Sequence, residues 1–274
     1  MQIEAAPRLF GILNATADSF SDGGRYLDSE AAIAQALKLR DDGADVIDIG
    51  AAASNPDAAH VPPAEEIRRL APIVAALQAL GAPISIDSFA PETQRWALSQ
   101  NVGWLNDITG FAEPALYPEL ARADARLIVM HNVASRGGRA ERIATDRATI
   151  LDRLHAFFDQ RLGALERAGV ARARLVIDPG MGFFLGTDPE VSLTVLRRLG
   201  ELKARYRLPV LVSVSRKSFI RNLAKVDIAK AGPATLAAEL YASVQGADYL
   251  RTHDVRALAH ALSVWSHLVA RGKP

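Results

Sequence analysis

The sequence has no cysteine among its 274 residues. This excludes disulfides, thiolate metal sites and a cysteine nucleophile, and it fits a reducing compartment such as the cytoplasm, where we expect the protein to act. No apolar run approaches the roughly 18 residues that a membrane span requires. The N-terminal stretch MQIEAAPRLFGIL has neither the basic region nor the long apolar region of a secretory signal. We therefore expect no membrane association and no export.

An excess of charge of either sign is also missing, since the formal net charge is +1. There is thus no overall field that would attract nucleic acid or an anionic membrane, and an anionic substrate must be bound by local cations. Three motifs are missing as well: a Gly-x-Gly-x-x-Gly turn after the first strand, a Gly-x-Ser-x-Gly elbow, and two histidines at metal-ligand spacing. Their absence argues against a dinucleotide site, a serine hydrolase and a zinc site.

Short apolar runs alternate with segments of helical periodicity along the whole chain. Eight runs are predicted strands, at residues 8–13, 45–49, 83–87, 103–107, 126–130, 175–178, 208–215 and 247–251. The predicted helices include 29–40 with Ser29 as N-cap, 146–168, and a single helix from about 190 to 206. Eight such units without a linker favour a TIM barrel, (β/α)8, as a single domain over residues 1–274, and a doubly wound open sheet is the alternative.

Polar side chains stand at the end of every predicted strand. They are Asn14, Asp48, Asp87, Asn106 with Asp107, His131, Asp178, Ser215 with Arg216 and Lys217, and Arg251 with His253. Any one of them alone could be a helix cap or a solvated charge, but the strand ends of a barrel meet at one mouth. The acids and amides suit a neutral heterocycle with several N–H donors, and the cations suit an anionic leaving group or a flat ring. Oxygen-rich Asn14, Asp18 and Asp22 could help hold Mg2+ on a phosphate.

Seven short motifs in order carry a resemblance to a known family. They are Gly11–Gly24, Asp48-Ile-Gly50, Ser85-Ile-Asp-Ser88, Asn106-Asp-Ile108, Asp178-Pro-Gly-Met-Gly-Phe183, Ser215-Arg-Lys-Ser218 and Arg251-Thr-His-Asp254. Across nearly its whole length the chain resembles the dihydropteroate synthases, which are pterin-binding TIM barrels. Their reaction joins 6-hydroxymethyl-7,8-dihydropterin pyrophosphate to p-aminobenzoate and releases pyrophosphate, in folate biosynthesis.

The resemblance implies a role for each matching residue. Asp87, Asn106, Asp178, Lys217 and Arg251 would bind the pterin, and the catalytic set would be Lys217, Asp87, Asp178, Arg251 and His253. The pyrophosphate would lie against Asn14, Arg251 and His253, with Asn14 also contacting Mg2+ as the cofactor. The p-aminobenzoate slot would be bordered by Phe20, Ser54, Pro56, Phe183, Phe184 and Ser218. The resemblance also implies a homodimer.

The sequence departs from the usual family pattern at three places, and these departures indicate which type within the family the chain resembles most. The usual Ser-Thr-Arg-Pro run is Ala53-Ser-Asn-Pro56 here, the usual Thr-Pro-Asp is Thr16-Ala-Asp18, and the usual Gly-Phe-Gly-Lys is Gly182-Phe-Phe-Leu185. In these places the chain is most similar to the sulfonamide-resistant, mobile-element type of the enzyme. Our hypothesis is that Phe183 and Phe184 narrow the slot so that a slim carboxylate fits and a sulfonamide clashes. The plain alternative is that Phe184 is only a core residue.

Two other functions share part of this pattern. The methyltetrahydrofolate-binding domain of corrinoid methyltransferases is also a pterin-binding barrel, but it needs no cations for a pyrophosphate, which the motifs at Ser215–Ser218 and Arg251–His253 supply. A non-catalytic pterin-binding protein is the second alternative. It would bind a pterin without turnover.

Overall fold

The computed structural model describes residues 6–15, 25–53, 60–134 and 140–270, with the backbone alone at residues 25–28 and 270. Eight strands alternate with helices. The strands are β1 Arg8–Asn14, β2 Val46–Gly50, β3 Ile84–Asp87, β4 Trp104–Asp107, β5 Arg126–Met130, β6 Leu175–Asp178, β7 Leu211–Val212 and β8 Tyr249–Thr252. The helices are α1 Arg25–Asp41, α2 Pro63–Ala79, α3 Pro91–Ser99, α4 Tyr117–Arg122, α5 Ile150–Arg167, α6 Pro189–Arg197, α7 Leu199–Tyr206, α8 Ser218–Ala224, α9 Gly232–Val244 and α10 Val255–Ala270.

The strands form one parallel sheet that curves into a barrel. Their order is β6-β5-β4-β3-β2-β1-β8-β7, and every pairing is parallel. A parallel bridge between Ile177 and Val210 joins the two outer strands, and the N–H of Ile177 donates to the carbonyl of Pro209 at 3.0 Å. The predicted TIM barrel is therefore confirmed. No helix in the described ranges combines the length and the apolar character that crossing a bilayer requires.

The lower end of the barrel is closed by apolar side chains. They are Phe10, Val46, Trp104, Ile128, Val176, Leu211 and Tyr249, all buried. The rings of Phe10, Trp104 and Tyr249 meet edge to face, with centroids 5.1 to 5.5 Å apart. Alternate residues of a strand face the same side, so the residue two positions further on also points into the barrel. This floor therefore sets which side chains line the mouth above it.

Several sequence-based boundaries are corrected by the structure. Ser29 is not an N-cap, because α1 already begins at Arg25. The single helix predicted over 190–206 is two helices, α6 and α7, separated at Arg198, whose φ of −110° and ψ of 18° are not helical. The strand predicted over 208–215 pairs in the ladder only at Leu211–Val212, since Pro209 has no N–H to donate and the chain beyond Val212 turns into the mouth. The short helices α4 and α8 were not predicted.

Candidate active site

Buried polar side chains form the layer directly above the apolar floor. Asp48, Asn106, Asp178 and Ser213, which are buried, and Arg251, which is partly buried, each lie two residues beyond a floor residue. Asp87 is at the end of β3, beside Gly50 and Asn106 in the sheet register. Inward-facing residues alternate along a strand, so the inward-facing position two residues after each apolar floor residue is polar. Together these polar side chains form a ring above the floor.

Arg251 connects two carboxylates of this ring. Its Nε donates to Asp48 Oδ2 at 2.5 Å, and its Nη2 donates to Asp87 Oδ2 at 2.7 Å. Asn106 Nδ2 also donates to Asp48 Oδ2, at 3.3 Å. Burial raises the pKa of Asp87 even though Arg251 opposes the shift, and the charge of Asp48 raises it further. The guanidinium of Arg251 thus donates to one oxygen of each of two carboxylates. The remaining carboxylate oxygens make the ring rich in hydrogen-bond acceptors.

Asp178 and Lys217 form the other side of the ring. Asp178 Oδ1 accepts the N–H of Gly180 at 2.8 Å, and burial raises the pKa of Asp178 to about 6 against the pull of that bond and of Lys217. Burial lowers the pKa of Lys217 to about 8, and the charge of Arg251 lowers it further. Gly180 has φ +72°, and a Cβ there would lie 2.5 Å from the carbonyl oxygen of His131, so only glycine permits this turn. Opposed shifts in paired groups are typical of functional sites.

The ring encloses a small cavity with polar and apolar walls. It is lined by Asp87, Asn106, Asp178, Ser213, Lys217 and Arg251 together with Ile108, Met130, Met181 and Phe184. Within the described parts of the chain, Asn106 Oδ1 and Ser213 Oγ have no hydrogen-bond partner although both atoms are buried. Buried polar atoms normally find a partner. The cavity therefore suits a flat molecule with polar edges and apolar faces.

Phe184 is part of this cavity. It is buried, and the Nζ of Lys217 lies 4.6 Å from the centre of its ring, which is a cation–π contact. Phe183 is half-buried and lies outside the cavity lining, with the guanidinium of Arg142 5.7 Å from its ring centre. Of the two phenylalanines, Phe184 contacts Lys217 of the ring, and it also packs in an apolar cluster with Ile108, Met130 and Ala140.

His253 is held by Ser215 at the edge of the ring. Ser215 Oγ accepts the backbone N–H of His253 at 3.2 Å and lies 2.9 Å from its Nδ1. Which of the two atoms donates depends on the imidazole tautomer: when Ser215 donates its proton to Nδ1, the imidazole proton is on Nε2. Burial, followed by the charges of Arg216, Arg251 and Lys217, lowers the pKa of His253 to about 3. The ring is therefore neutral and offers one N–H donor.

Asn14 lies apart from the central ring, exposed at the end of β1. It lines a neighbouring cavity that also includes Lys38 of α1 and Arg216. In the described residues there is no group of three His, Cys, Asp or Glu side chains arranged to hold a metal ion.

Not every predicted site residue can be located. Phe20, Ser54 and Pro56 lie outside the described residues, as do Asp18 and Asp22. Ser218 is half-buried at the first position of α8, directly after Lys217.

The other predicted site residues, with the exception of Phe183, lie at the mouth. Asp87, Asn106, Asp178, Lys217, Arg251 and Phe184 share the central cavity, while His253 and Asn14 flank it.

Two residues of the ring were not among the predicted site residues. Asp48 ends a strand in the sequence, but its ion pair with Arg251 spans 203 positions, and nothing in the local pattern indicates it. Ser213 belongs to an apolar run, and only the two-residue period counted from Leu211 could have indicated it. Asp107, by contrast, turns away from the mouth and accepts bonds from Gln94, Thr109 and Phe111. It fixes the loop after β4.

Comparisons with known proteins agree with this geometry. Residues 10–253 match the family described as "Pterin binding enzyme". The chain is 56% identical over 260 residues to dihydropteroate synthase type-2 of Escherichia coli, with 95% of both chains covered. It is 54% identical over 246 residues to dihydropteroate synthase type-1 of the same species, with 89% of this chain and 88% of the relative covered. The likeness to the mobile-element types is confirmed.

A solved structure extends the likeness to the fold. A dihydropteroate synthase from Xanthomonas albilineans, crystallised with 4-aminobenzoic acid, superposes with a TM-score of 0.88 at 34% identity. The match covers 100% of this chain and 96% of that one.

Proposed function

The chain belongs to the dihydropteroate synthases of the pterin-binding enzyme family, and from this premise we propose how its barrel mouth performs the reaction. The activity is that of a transferase in folate biosynthesis: the dihydropterin methylene passes from the pyrophosphate oxygen to the amine of p-aminobenzoate. We propose that residues 1–274 act as a single pterin-binding domain. The observation that carries the assignment of roles is the convergence of Asp87, Asn106, Asp178, Lys217 and Arg251 on one buried cavity.

The pterin occupies that cavity in our proposal. Asp178 and Asn106 face it with acceptor oxygens, and Asn106 Oδ1 still lacks a partner among the described residues. A neutral pterin edge presents several N–H donors, which would satisfy these atoms. Lys217 would donate to a ring acceptor, and Met130 and Met181 would pack against the ring faces. Arg251 is already oriented by Asp48 and Asp87, so it needs little reorganisation to stack on the ring.

The leaving pyrophosphate lies at the cationic side of the mouth. Arg251 supplies charge there, and neutral His253 supplies the Nε2 proton as a donor. Asn14, exposed at the end of β1, offers a hard oxygen ligand to Mg2+, which takes few protein ligands when phosphate oxygens supply the rest. When bound, Mg2+ would supply charge neutralisation to the pyrophosphate.

The reaction needs no protein nucleophile. Cleavage of the C–O bond leaves both electrons on the pyrophosphate oxygen and a cationic methylene on the pterin, which the amine of p-aminobenzoate attacks with loss of one proton. The task of the protein is to stabilise the departing anion and align the amine, which is catalysis by electrostatics and proximity. Arg251 and His253 serve the first task, Lys217 holds the pterin ring in place, and the ring carboxylates Asp87 and Asp178 stabilise the pterin cation.

The p-aminobenzoate slot is the part of the site where this chain departs most from the usual family pattern. We propose that Phe184 narrows it: the ring is buried, fixed against Lys217 and part of the cavity wall. A rigid wall tolerates a slim carboxylate and rejects a bulkier sulfonamide substituent, which gives low sulfonamide sensitivity. Phe183 lies outside the cavity lining and has a lesser part in this proposal, with Ser218, Phe20, Ser54 and Pro56 as further predicted borders.

The activity is tested with the purified protein, Mg2+, the dihydropterin pyrophosphate and p-aminobenzoate. We expect release of pyrophosphate and formation of dihydropteroate in equal amounts, and Lys217→Ala should abolish both while retaining the fold. A protein that binds the pterin but releases no pyrophosphate would sink the assignment and favour the methyltransferase-domain or non-catalytic alternative.

A homodimer through α8, α9 and α10 is part of the proposal. Among the described residues, the large exposed apolar side chains are mostly on or between these neighbouring helices: Leu223, Ile228, Tyr241, Val264 and Leu268, with Leu80 elsewhere. Leu268→Glu should convert a dimer to a monomer in sedimentation or light scattering, while Leu80→Glu should not. A wild-type monomer at micromolar concentration would overturn this part. The cytoplasmic location stays a prediction, which cell fractionation tests.

A further inference from the structure

A buried hydrogen-bonded network lies behind β3 and β4. Its four polar side chains are those of Glu66, Ser88, Gln94 and Asp107, whose exposed fractions lie between 1% and 5%. None of these four side chains belongs to the lining of the central cavity, and the proposed reaction does not use them. Burying polar side chains opposes folding unless each of them is hydrogen-bonded. Their partners therefore show what the network holds in place.

Gln94 of α3 connects the loop after β3 to the end of β4. Its Nε2 donates to the carbonyl of Ser88 at 2.7 Å and to Asp107 Oδ2 at 2.8 Å. A side-chain amide nitrogen carries two hydrogens, so both bonds can form at once. Ser88 is the residue after Asp87, and the other partner is the residue after Asn106. Gln94 therefore joins the chain next to two residues that line the central cavity.

Asp107 accepts four hydrogen bonds. Its Oδ1 accepts the N–H and the hydroxyl of Thr109, both at 2.7 Å. Its Oδ2 accepts the N–H of Phe111 at 3.1 Å together with the amide of Gln94. Burial raises the pKa of Asp107, and the bond from Gln94 is first among the contacts that oppose this shift. Four donors around one carboxyl group favour the carboxylate form. The turn that is closed in this way carries Ile108, which lines the central cavity.

Ser88 is held from the other side by α2. Its Oγ donates to Glu66 Oε2 at 2.6 Å and accepts the N–H of Ala90 at 3.2 Å. Its backbone N–H donates to the carbonyl of Asn106 at 3.1 Å, which continues the register that pairs Asp87 with Asn106. The chain directly after Asp87 is therefore bonded to α2, to α3 and to β4.

We propose that Gln94 is a positioning residue for the pterin. By joining the loop after β3 to the end of β4, it fixes the spacing between Asp87 and Asn106, whose polar atoms face the pterin. Gln94 itself does not contact substrate. The inference rests on the proposed function, because it takes the pterin to bind at these two residues.

Two variants remove the bond between Gln94 and Asp107 from its opposite ends. Gln94→Met keeps the length of the side chain without a donor, and Asp107→Asn replaces the accepting Oδ2 while Oδ1 still accepts from Thr109. We expect kcat/KM for the dihydropterin pyrophosphate to fall about five- to tenfold in each variant, the factor that corresponds to one net hydrogen bond. The affinity for unsubstituted pterin, measured calorimetrically, should fall by the same factor.

The KM for p-aminobenzoate separates positioning from a general loss of structure. Both bonds of Gln94 end at Ser88 and Asp107 rather than at Phe184, so Gln94→Met should leave this KM within about twofold of wild type. Thr93→Val is the matched control. Thr93 precedes Gln94 on α3 and is fully buried, and its Oγ1 has no partner among the described residues. This variant should match wild type in every constant.

The positioning role is overturned if Gln94→Met and Asp107→Asn match Thr93→Val. It is equally overturned if they raise both KM values together with a lower Tm, or if neither of them folds, since either result marks a structural residue. If one of the two does not fold, the other decides alone. A wild type without turnover refutes the proposed function instead, and the calorimetric affinity for pterin then still tests Gln94.

Discussion

Arg251 and Asp48 are joined by a hydrogen bond of 2.5 Å between Nε and Oδ2, although 203 positions separate them in the chain. Asp48 is fully buried in β2, and Asn106 donates to the same oxygen. Among the residues that the structure describes, Asp87 is the other carboxylate partner of the guanidinium, through Nη2. Asp48 therefore lies beneath the site and holds Arg251 in one orientation before any substrate binds.

Replacing Asp48 by asparagine should damage catalysis more than folding. Arg251 keeps Asp87, so the loss in the free energy of unfolding is about 2 kcal/mol. The guanidinium loses its fixed orientation, and kcat/KM for the dihydropterin pyrophosphate falls by about 10- to 100-fold. Asp45→Asn is the control, because Asp45 accepts the N–H of Leu9 at 2.7 Å at the other end of β2, far from the mouth. A wild-type kcat/KM for Asp48→Asn contradicts the role of Asp48.

The site residues that could be predicted from the sequence are those at the ends of predicted strands. Asp87, Asn106 and Asp178 were identified because an apolar run stops at each of them, and parallel strands bring their ends together. Asp48 is also at the end of a predicted strand. Its partner Arg251 could not be predicted, because the two residues come together only when the sheet closes into a barrel. Glu239 lies inside a helix, where local pattern does not distinguish a solvated acid from a buried one. Arg198 separates α6 from α7 with no proline or glycine at that residue, so the break left no signal there.

The pH profile of the reaction should be bell-shaped. Burial raises the pKa of Asp178 to about 6 and lowers that of Lys217 to about 8. Asp178 acts as a carboxylate, and so does Asp87, whose pKa burial raises to about 7, so kcat/KM for the dihydropterin pyrophosphate falls as pH drops through this range. Lys217 must be protonated to donate, so kcat/KM falls again above about 8. The measured quantity is kcat/KM, which reports the free enzyme.

Two variants separate the limbs of this profile. Asp178→Asn should be slower and should change the acidic limb without abolishing it, because burial raises the pKa of Asp87 to about 7 and this carboxylate still titrates there. Lys217→Arg should lose the alkaline limb because a guanidinium stays charged. If either limb persists unchanged in the variant that removes its group, that group is not the one that titrates.

Phe184 should decide the response to sulfonamides. We expect weak competitive inhibition of the wild type and an inhibition constant about 10- to 100-fold lower in Phe184→Gly, the range expected when a clash of this kind is relieved. The KM for p-aminobenzoate should change less, and kcat should fall because Lys217 loses the ring 4.6 Å from its Nζ. Phe183→Ala is the comparison, since Phe183 lies outside the cavity lining. Strong inhibition of the wild type, or equal resistance in Phe184→Gly, rules the hypothesis out.

Glu239 should make the stability of the folded protein depend on pH in a defined direction. Burial raises the pKa of Glu239 to about 8 from its ordinary 4.5, and nearby Asp254 raises it further while Thr252 opposes the shift. The folded state therefore holds the proton more tightly than the unfolded chain, so this contribution to stability is complete below about 4.5 and is lost as pH rises through about 8. The side-chain amide of Glu239→Gln does not titrate, so this contribution does not change with pH in the variant.

The difference in Tm between Glu239→Gln and wild type, measured by calorimetry, should therefore increase by several degrees between pH 5 and pH 9. The conversion used is about 2 to 4 °C in Tm per kcal/mol for a chain of this size. A constant difference across that range would mean that Glu239 is ionised in the folded protein at neutral pH.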